Sequence, residues 1–283
     1  MKLSQARIAI ALAVLVATSA GCGVINRIRA KNELNEAART YREGQFVEAE
    51  QHDRKALDLD PNNKTAPLFI ARTVHAQYRT GVNTPENIAK AREAITAYQK
   101  ILETDPTNEE AYKAIAFLYE KIKEDDKLRE WIIARANDGR VEADKRAEAY
   151  IVLASKDWNC SFQITDLPSN KITTITEGKA TVSYRKPKEQ KDFDTAQMCV
   201  KRGLEEVESA LKFDPNSESA WSYKTNLLLE AAKLAEMDGK MDQKAELEKQ
   251  RDAAQKRTTQ LSEANKKKQA EEEAKKAASP PTS

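Results

Sequence analysis

Apolar and polar residues alternate along this chain with the spacing of amphipathic helices, and three of the predicted helices end in the same way. Each closes on Asp-Pro, followed by a turn that carries Asn or Ser. These endings lie in Lys55–Asn63, Lys100–Asn108 and Ser209–Ser217. Proline ends a helix because it lacks the amide hydrogen and disfavours helical geometry in the residue before it, while its fixed φ suits the start of the next helix. The pattern predicts one helix-turn-helix unit repeated along the chain.

A helix pair of this kind cannot bury its apolar face alone, so it must stack on its neighbours as an α-solenoid with a concave surface. The alternative is a helical bundle or coiled coil whose Asp-Pro ends are fortuitous. A coiled coil would keep apolar residues at heptad spacing over several heptads with few breaks. Glycine, proline and polar turns interrupt this chain at regular intervals, which favours the solenoid.

The unit resembles the tetratricopeptide repeat (TPR), which has a large apolar residue early in its first helix, small residues where the helices cross and a closing proline. The residues of the first unit that match are Ala37, Tyr41, Gly44, Phe46, Ala49, Ala56, Leu57 and Pro61. Pro106 closes the second unit, farther from Pro61 than the TPR period of about 34 residues. Either a prolonged first helix or a loop around Thr80–Asn87 accounts for the difference. The resemblance covers most of Glu33–Leu261, with a degenerate third unit and an interrupted fourth.

The resemblance also implies where a partner binds. In TPR folds the concave wall is formed by residues of the first helix that face away from the seam of the pair. The matching positions here are Tyr41, Leu68, Arg72, Lys113, Phe117 and Lys121. Apolar contacts combined with cationic donors suit an extended peptide bearing carboxylates or a free C-terminus. In the alternative interpretation, Leu68 and Phe117 pack against neighbouring helices and the two lysines are ordinary solvated side chains.

The N-terminus has the features of a targeting segment. A positively charged start precedes the apolar run Ile8–Ala17, which is too short for a membrane span of about 20 residues. Ala20-Gly21-Cys22 resembles the lipobox of bacterial lipoproteins, which implies cleavage before Cys22 and acylation of that cysteine. Ser19 departs from the family, which prefers an aliphatic residue there. An ordinary secretory signal cut near Ala20 and an uncleaved anchor are the alternatives.

The charge balance argues against a nucleic-acid partner. The chain has 47 basic and 45 acidic residues, a formal net charge of +2. Cleavage before Cys22 would remove two basic residues and no acidic one, leaving a balanced surface. A nucleic-acid-binding domain would instead carry a basic stripe or patch.

Cys160 and Cys199 remain as a pair once Cys22 is assigned to lipid, and export would place them where disulfides persist. Between them lie two β-branched runs, Ile172–Thr176 and Ala180–Tyr184, which predict a small hairpin or an extended loop. A Cys160–Cys199 disulfide would fasten both ends of this insertion. Two unrelated buried thiols are the alternative.

Catalytic and metal-binding motifs are not found. The sequence has no Gly-x-Ser-x-Gly, Walker A, His-Glu-x-x-His or Gly-x-Gly-x-x-Gly motif. It has no Cys-x-x-Cys, and its two histidines, His52 and His75, are isolated. Acidic pairs such as Glu109-Glu110 lie at helix starts, where carboxylates favour the helix dipole or water. We therefore expect no enzymatic activity, no metal, no cofactor and no small-molecule substrate.

The C-terminal region is rich in Lys, Glu, Gln and Ala with i,i+4 charge pairs, which predicts a long helix that first caps the repeats and then projects into solvent. The predicted fold is an all-α, TPR-like α-solenoid of about five helical pairs with a β-hairpin-like insertion and a long C-terminal helix. Its predicted parts are a signal peptide (1–21), a tether (22–32), the solenoid (33–265) with an insertion at 158–192, and a charged helix end with a disordered tail (266–283).

These features favour a non-enzymatic protein-protein interaction scaffold, anchored to a membrane through lipid and holding a protein or peptide in its groove. The chain resembles TPR lipoproteins of outer-membrane protein assembly and pilotins of type IV pilus machinery, which implies an adaptor for an envelope assembly or secretion machine. Gly23 is not the aspartate that retains enterobacterial lipoproteins in the inner membrane, so we expect the outer membrane, facing the periplasm. The alternative is an accessory subunit or regulator of a cell-envelope enzyme.

Overall fold

A computed structural model describes residues 23–176 and 179–278 of the chain. The chain divides into two compact units, Met1–Leu128 (unit 1) and Arg129–Ser283 (unit 2). Cys22 and the predicted signal peptide lie outside the described residues, as do residues 279–283. Within the described part, no helix combines the length and the apolar character that crossing a membrane requires.

Unit 1 consists of helices that follow one another along the chain. They are α1 (residues 23–42), α2 (Phe46–Leu59), α3 (Ala66–Gln77), α4 (Pro85–Thr104), α5 (Glu109–Lys121) and the start of α6 (Asp125–Asn137). Packing of α2 on α3, α3 on α4 and α4 on α5 builds the core of the unit. The predicted tether does not match this arrangement, because residues 23–32 are already helical and Ala30 is fully buried.

Unit 2 continues the same plan with longer helices and a hairpin. Its elements are α7 (Ala143–Thr165), a 3₁₀ turn (Pro168–Asn170), β1 (Lys171–Thr176), β2 (Lys179–Tyr184), α8 (Gln190–Phe213), α9 (Glu218–Met237) and α10 (Met241–Ala278). Helix α7 packs on α8 and α9, α8 on α9, and α9 on α10. The ten helices of the described chain form five sequential pairs, so the predicted all-α, TPR-like fold is confirmed.

The three Asp-Pro turns have one geometry. Asp60, Asp105 and Asp214 follow the last residues of α2, α4 and α8, with φ between −133° and −135° and ψ between 81° and 90°. In each turn the aspartate carbonyl accepts from the amide three residues on, at 2.9 Å, 3.1 Å and 3.2 Å. Two of those third residues, Asn108 and Ser217, cap the next helix with their side chains. Residues within each turn therefore determine both where one helix ends and where the next begins.

Small residues stand where the helices cross in unit 1, as predicted from the repeat pattern. Ala37, Ala49, Ala56, Ala71 and Ala94 are at most 2% exposed. Alanine lets two helix backbones approach closely, so the interior is filled by backbone and methyl groups more than by large side chains.

The extra length of the second unit comes from a loop and not from a prolonged first helix. Helix α3 ends at Gln77, and residues 78–84 form the connection to α4. The Asn87 side chain holds this loop, accepting from the Arg79 amide at 2.8 Å and donating to the carbonyls of Arg79 and Val82 at 2.9 Å and 2.7 Å.

The insertion in unit 2 is shorter than predicted. Helix α7 runs to Thr165, so the segment without α-helix spans residues 166–189 instead of 158–192. Two kinds of contact support the extra turns of the helix. Trp158 stacks on Phe162, four residues on along α7, at 5.3 Å between ring centroids. The Ser161 and Thr165 hydroxyls donate to Glu230 of α9.

The predicted hairpin is confirmed. Strands β1 and β2 pair antiparallel with Lys171 opposite Tyr184 and Thr173 opposite Val182. The base of the hairpin is fastened to α9, because the Tyr184 amide donates to Glu236 at 3.0 Å and Lys186 pairs with Asp238 at 2.5 Å.

Helix α10 is the predicted long C-terminal helix, and it passes residue 265, reaching Ala278. Ala254 and Leu261 are buried, and Asn265 donates to Glu218 of α9 at 2.9 Å. Residues 266–275 are exposed throughout. The helix therefore packs on α9 along its first part and lies in water beyond it.

Candidate functional site

One face of unit 1 combines exposed aromatic rings, charged side chains and a cavity. It is formed by the first helices of the three pairs and is called the α1–α3–α5 face. Its residues are Tyr41 of α1, Phe69, Arg72 and His75 of α3, and Phe117 and Lys121 of α5. Tyr41 and Phe117 are 41% and 42% exposed, large values for aromatic side chains on packed helices.

Contacts between helices join these residues into one surface. Arg72 reaches across to Glu110 of α5, and its guanidinium carbon lies 5.8 Å from the centre of the Phe69 ring. One turn along α3, the His75 ring lies 5.8 Å from Phe117 between centroids, and Lys121 Nζ lies 5.2 Å from the centre of the Phe117 ring.

Four of the six sequence-predicted groove residues, Tyr41, Arg72, Phe117 and Lys121, lie within this network. Lys113 stands one turn before Phe117 on α5 with its side chain 70% exposed, 3.9 Å from Glu109. Leu68 is half-buried and does not line the cavity of this face; its neighbour Phe69 does.

The predicted cations are paired within the protein. Both prongs of the Arg72 guanidinium donate to Glu110 at 2.5 Å, and this bond holds the pKa of Glu110 below its usual value. Lys121 contacts Glu120 at 3.3 Å. Burial lowers the pKa of His75, so its ring is neutral at pH 7. The face is therefore mixed in charge, and the expectation of an acidic ligand loses its main support.

A cavity of about 390 Å³ opens between α1, α2 and α3. Its lining residues are Ala37, Ala38, Tyr41, Arg42, Asp53, Phe69, Arg72 and Thr73. Asp53 and Thr73 are 1% and 2% exposed, so they form its floor, and the Thr73 hydroxyl donates to Asp53 Oδ2 at 2.8 Å. Burial raises the pKa of Asp53 to about 6, an effect that the Thr73 hydrogen bond partly offsets.

Asp53 is absent from the sequence-based candidates, although the sequence holds a signal for it. It lies four residues after Ala49 and three before Ala56 on α2, so it occupies the buried stripe of that helix. A carboxylate in an apolar stripe costs free energy unless it is paired. An acidic residue at a buried position of the helix is therefore a sequence signal for a functional or structural role of Asp53.

Unit 2 contains a second buried polar group, the ionic cluster of Arg129, Asp157, Arg202 and Glu206. Arg129 donates to Asp157 at 3.1 Å and to Glu206, and Arg202 donates to the other oxygen of Asp157 at 2.6 Å. Burial and the negative charge of Asp157 raise the pKa of Glu206 to about 8. The cluster joins α6, α7 and α8, and we assign it a structural role.

A disulfide joins Cys160 of α7 to Cys199 of α8, with an S–S distance of 2.11 Å and Cα atoms 6.2 Å apart. Both cysteines lie within their helices, so the bond links two helix bodies and not the ends of the insertion. Within the residues that the structure describes, no group of three or more His, Cys, Asp or Glu side chains is placed to hold a metal ion. His52 instead contacts Glu33 at 2.7 Å.

Comparison with known proteins gives weak structural similarities. No protein-family model matches the chain, and no curated protein matches it. A MamA RS-1 double mutant is similar with 15% identity and a TM-score of 0.40, covering 84% of this chain and 96% of that one. MamA from Desulfovibrio magneticus RS-1 has 16% identity and a TM-score of 0.34, covering 81% of this chain and 96% of that one.

A tetratricopeptide repeat protein from Parabacteroides merdae is also similar, at 12% identity and a TM-score of 0.34. The similarity covers 82% of this chain and 97% of the other protein's chain. The assignment of the fold rests on the helix pairs and turns of the chain itself.

Proposed function

We propose that this protein is a non-enzymatic interaction scaffold that binds a segment of a partner protein along the α1–α3–α5 face. The observation that carries the proposal is the pair of exposed aromatic residues, Tyr41 and Phe117, placed on one face with a cavity beside them. Aromatic side chains are enriched at interfaces and dominate binding energy, because they bury a large area with few rotatable bonds.

We expect the partner to present an extended or helical segment. A segment crossing α1, α3 and α5 would meet Tyr41, Phe69 and Phe117 in turn. Arg72 and Lys121 would add hydrogen bonds at the rim while keeping their internal partners.

We further propose that the protein is a lipoprotein of the bacterial envelope, acylated at Cys22 and serving as an adaptor in an assembly or secretion machine. The apolar run that ends at Ala20-Gly21-Cys22 supports the lipid anchor. The Cys160–Cys199 disulfide supports export, because disulfides persist mainly outside the reducing cytoplasm. An outer-membrane location facing the periplasm is part of the same proposal.

The proposal is tested by removing the two exposed aromatic side chains of the face. Tyr41→Ala combined with Phe117→Ala should abolish partner capture in intact cells, because aromatic side chains carry much of the binding energy at interfaces. The matched control is Val152→Ala with Met198→Ala, two exposed apolar side chains of unit 2. Unaltered capture by the folded first variant would contradict the proposal and direct attention to the hairpin or to α10.

A further inference from the structure

We infer that the cavity between α1, α2 and α3 receives the ammonium group of a lysine side chain from the partner protein, with Asp53 as its acceptor. The inference rests on the proposed function, since it specifies what the partner presents to the α1–α3–α5 face. It reverses the ligand charge that the sequence suggests for the groove.

The floor of the cavity has an unused acceptor. Asp53 Oδ2 accepts from Thr73, but Oδ1 receives no hydrogen bond from any side chain or amide in the described chain. A buried carboxylate is costly unless its charge is paired and its oxygens are hydrogen-bonded. A positively charged hydrogen-bond donor, such as an ammonium group, would both balance the charge of Asp53 and donate to its free oxygen.

The walls of the cavity suit the rest of a lysine side chain. Ala37, Ala38, Tyr41 and Phe69 present methyl groups and aromatic rings above the floor. Lysine buries its four methylenes along apolar surface and places its ammonium group at the end of that stem. The cavity of about 390 Å³ falls at the lower end of the range for ligand sites, about 300–1,000 Å³.

The charged groups around Asp53 are otherwise engaged or exposed. On α3, Arg72 is paired with Glu110, and on α1, Arg42 is exposed to water. On α2, His52 contacts Glu33.

Glu50, the other charged neighbour of Asp53 on α2, accepts hydrogen bonds from Gln77 and Arg54. With these groups occupied elsewhere, Asp53 Oδ1 is buried without a partner from within the described chain, at a cavity that the residue lines.

The test uses two small probes and the purified protein, so it does not depend on knowing the partner. N-acetyl-lysine methylamide should shift the NMR signals of residues lining the cavity and lower the pKa of the Asp53 carboxyl from about 6, because a bound cation favours the ionised form. N-acetyl-norleucine methylamide has a similar stem without the ammonium group. It should bind about tenfold or more weakly, since a hydrogen bond to a charged group contributes about 1.5–3 kcal/mol.

Asp53→Asn should weaken binding of the lysine probe to the level of the norleucine probe. Glu50→Gln, which removes a carboxylate of the same helix that does not line the cavity, should leave binding of the lysine probe unchanged. Equal binding of the two probes, no binding of either, or a lysine affinity unchanged by Asp53→Asn would overturn the inference. If the probes fail while the Tyr41→Ala, Phe117→Ala variant still loses its partner, the inference falls and the proposed function stands.

Discussion

The guanidinium of Arg72 on α3 forms a two-pronged ion pair with the carboxylate of Glu110 on α5, with both nitrogen-oxygen distances at 2.5 Å. The pair ties together the first helices of two successive helix pairs. It also fixes the position of the one arginine that lies both on the α1–α3–α5 face and at the cavity rim. Because its charge is balanced from within, Arg72 acts on this face as a positioned hydrogen-bond donor more than as a free cation.

The ion pair predicts a small and pH-dependent coupling. A double-mutant cycle with Arg72→Ala and Glu110→Gln should give about 0.2–1 kcal/mol, because both side chains are more than 40% exposed and solvent screens the pair. Arg72 lowers the pKa of Glu110, so the coupling should be complete above pH 4.5 and be lost as the pH falls through the lowered pKa of Glu110. Urea unfolding followed by circular dichroism measures the coupling. A coupling that does not weaken as the pH is lowered from 4.5 would contradict this account.

The raised pKa of Glu206 predicts that unit 2 loses stability with rising pH. The folded state holds the Glu206 proton between pH 4.5 and about pH 8 while the unfolded state releases it, so the free energy of unfolding falls across that window. Glu206→Gln should remove this slope and stabilise the protein at pH 8 by about 1 kcal/mol or more.

Tryptophan fluorescence is the measurement for this prediction, because the three tryptophans of the sequence, Trp131, Trp158 and Trp221, all belong to unit 2. Glu205→Gln is the matched control, since Glu205 is the exposed neighbour of Glu206. A pH slope that survives in Glu206→Gln would show that another group carries it.

The disulfide predicts a loss of stability confined to unit 2. Closing a loop of this length contributes about 3–4 kcal/mol in the chain-entropy model, so replacing Cys160 and Cys199 with serine should lower the unfolding free energy by about that amount. Dithiothreitol should destabilise the wild type similarly and leave the variant unaffected. Peptide mapping without reductant should recover both cysteines in one linked fragment, and quantitative alkylation of both thiols in protein from its native compartment would rule the bond out.

The lipid anchor predicts a specific mature N-terminus. Intact-mass analysis of native protein should find a chain that begins at an acylated Cys22, because two or more acyl chains give a stable anchor at about 0.8 kcal/mol per buried methylene. Cys22→Ala should release the protein from membranes. Membrane association that is unchanged in this variant would refute acylation at this residue.

Local chemistry explains why the sequence predicts some elements well. Asp60, Asp105 and Asp214 stop their helices through a proline and a short turn, so the ends can be placed without knowledge of the fold. The hairpin follows equally from β-branched residues on both strands. These features depend on neighbours within a few residues along the chain.

Long-range contacts explain what the sequence does not predict. Helix α7 continues to Thr165 because its last turns bond to Glu230, which lies 65 residues on. Arg72 pairs with Glu110, which lies 38 residues away in the sequence. Because that pairing is not visible in the sequence, the sequence alone predicts that Arg72 is a cation free to bind a ligand. The binding role inferred for Asp53 could not be predicted from the sequence, because it depends on contacts between helices. Thr73 of α3 donates to Asp53, and residues of α1 complete the cavity wall.

Site-specific photocrosslinking in intact cells tests the central claim most directly. A crosslinking residue placed at Phe117 should capture one discrete partner protein, and Tyr41→Ala should greatly reduce that adduct. The same residue at Val152 of unit 2, which is 43% exposed against 42% for Phe117, is the control and should not capture it. Equal capture at both positions, or an adduct at Phe117 that Tyr41→Ala leaves unchanged, would contradict binding at the α1–α3–α5 face.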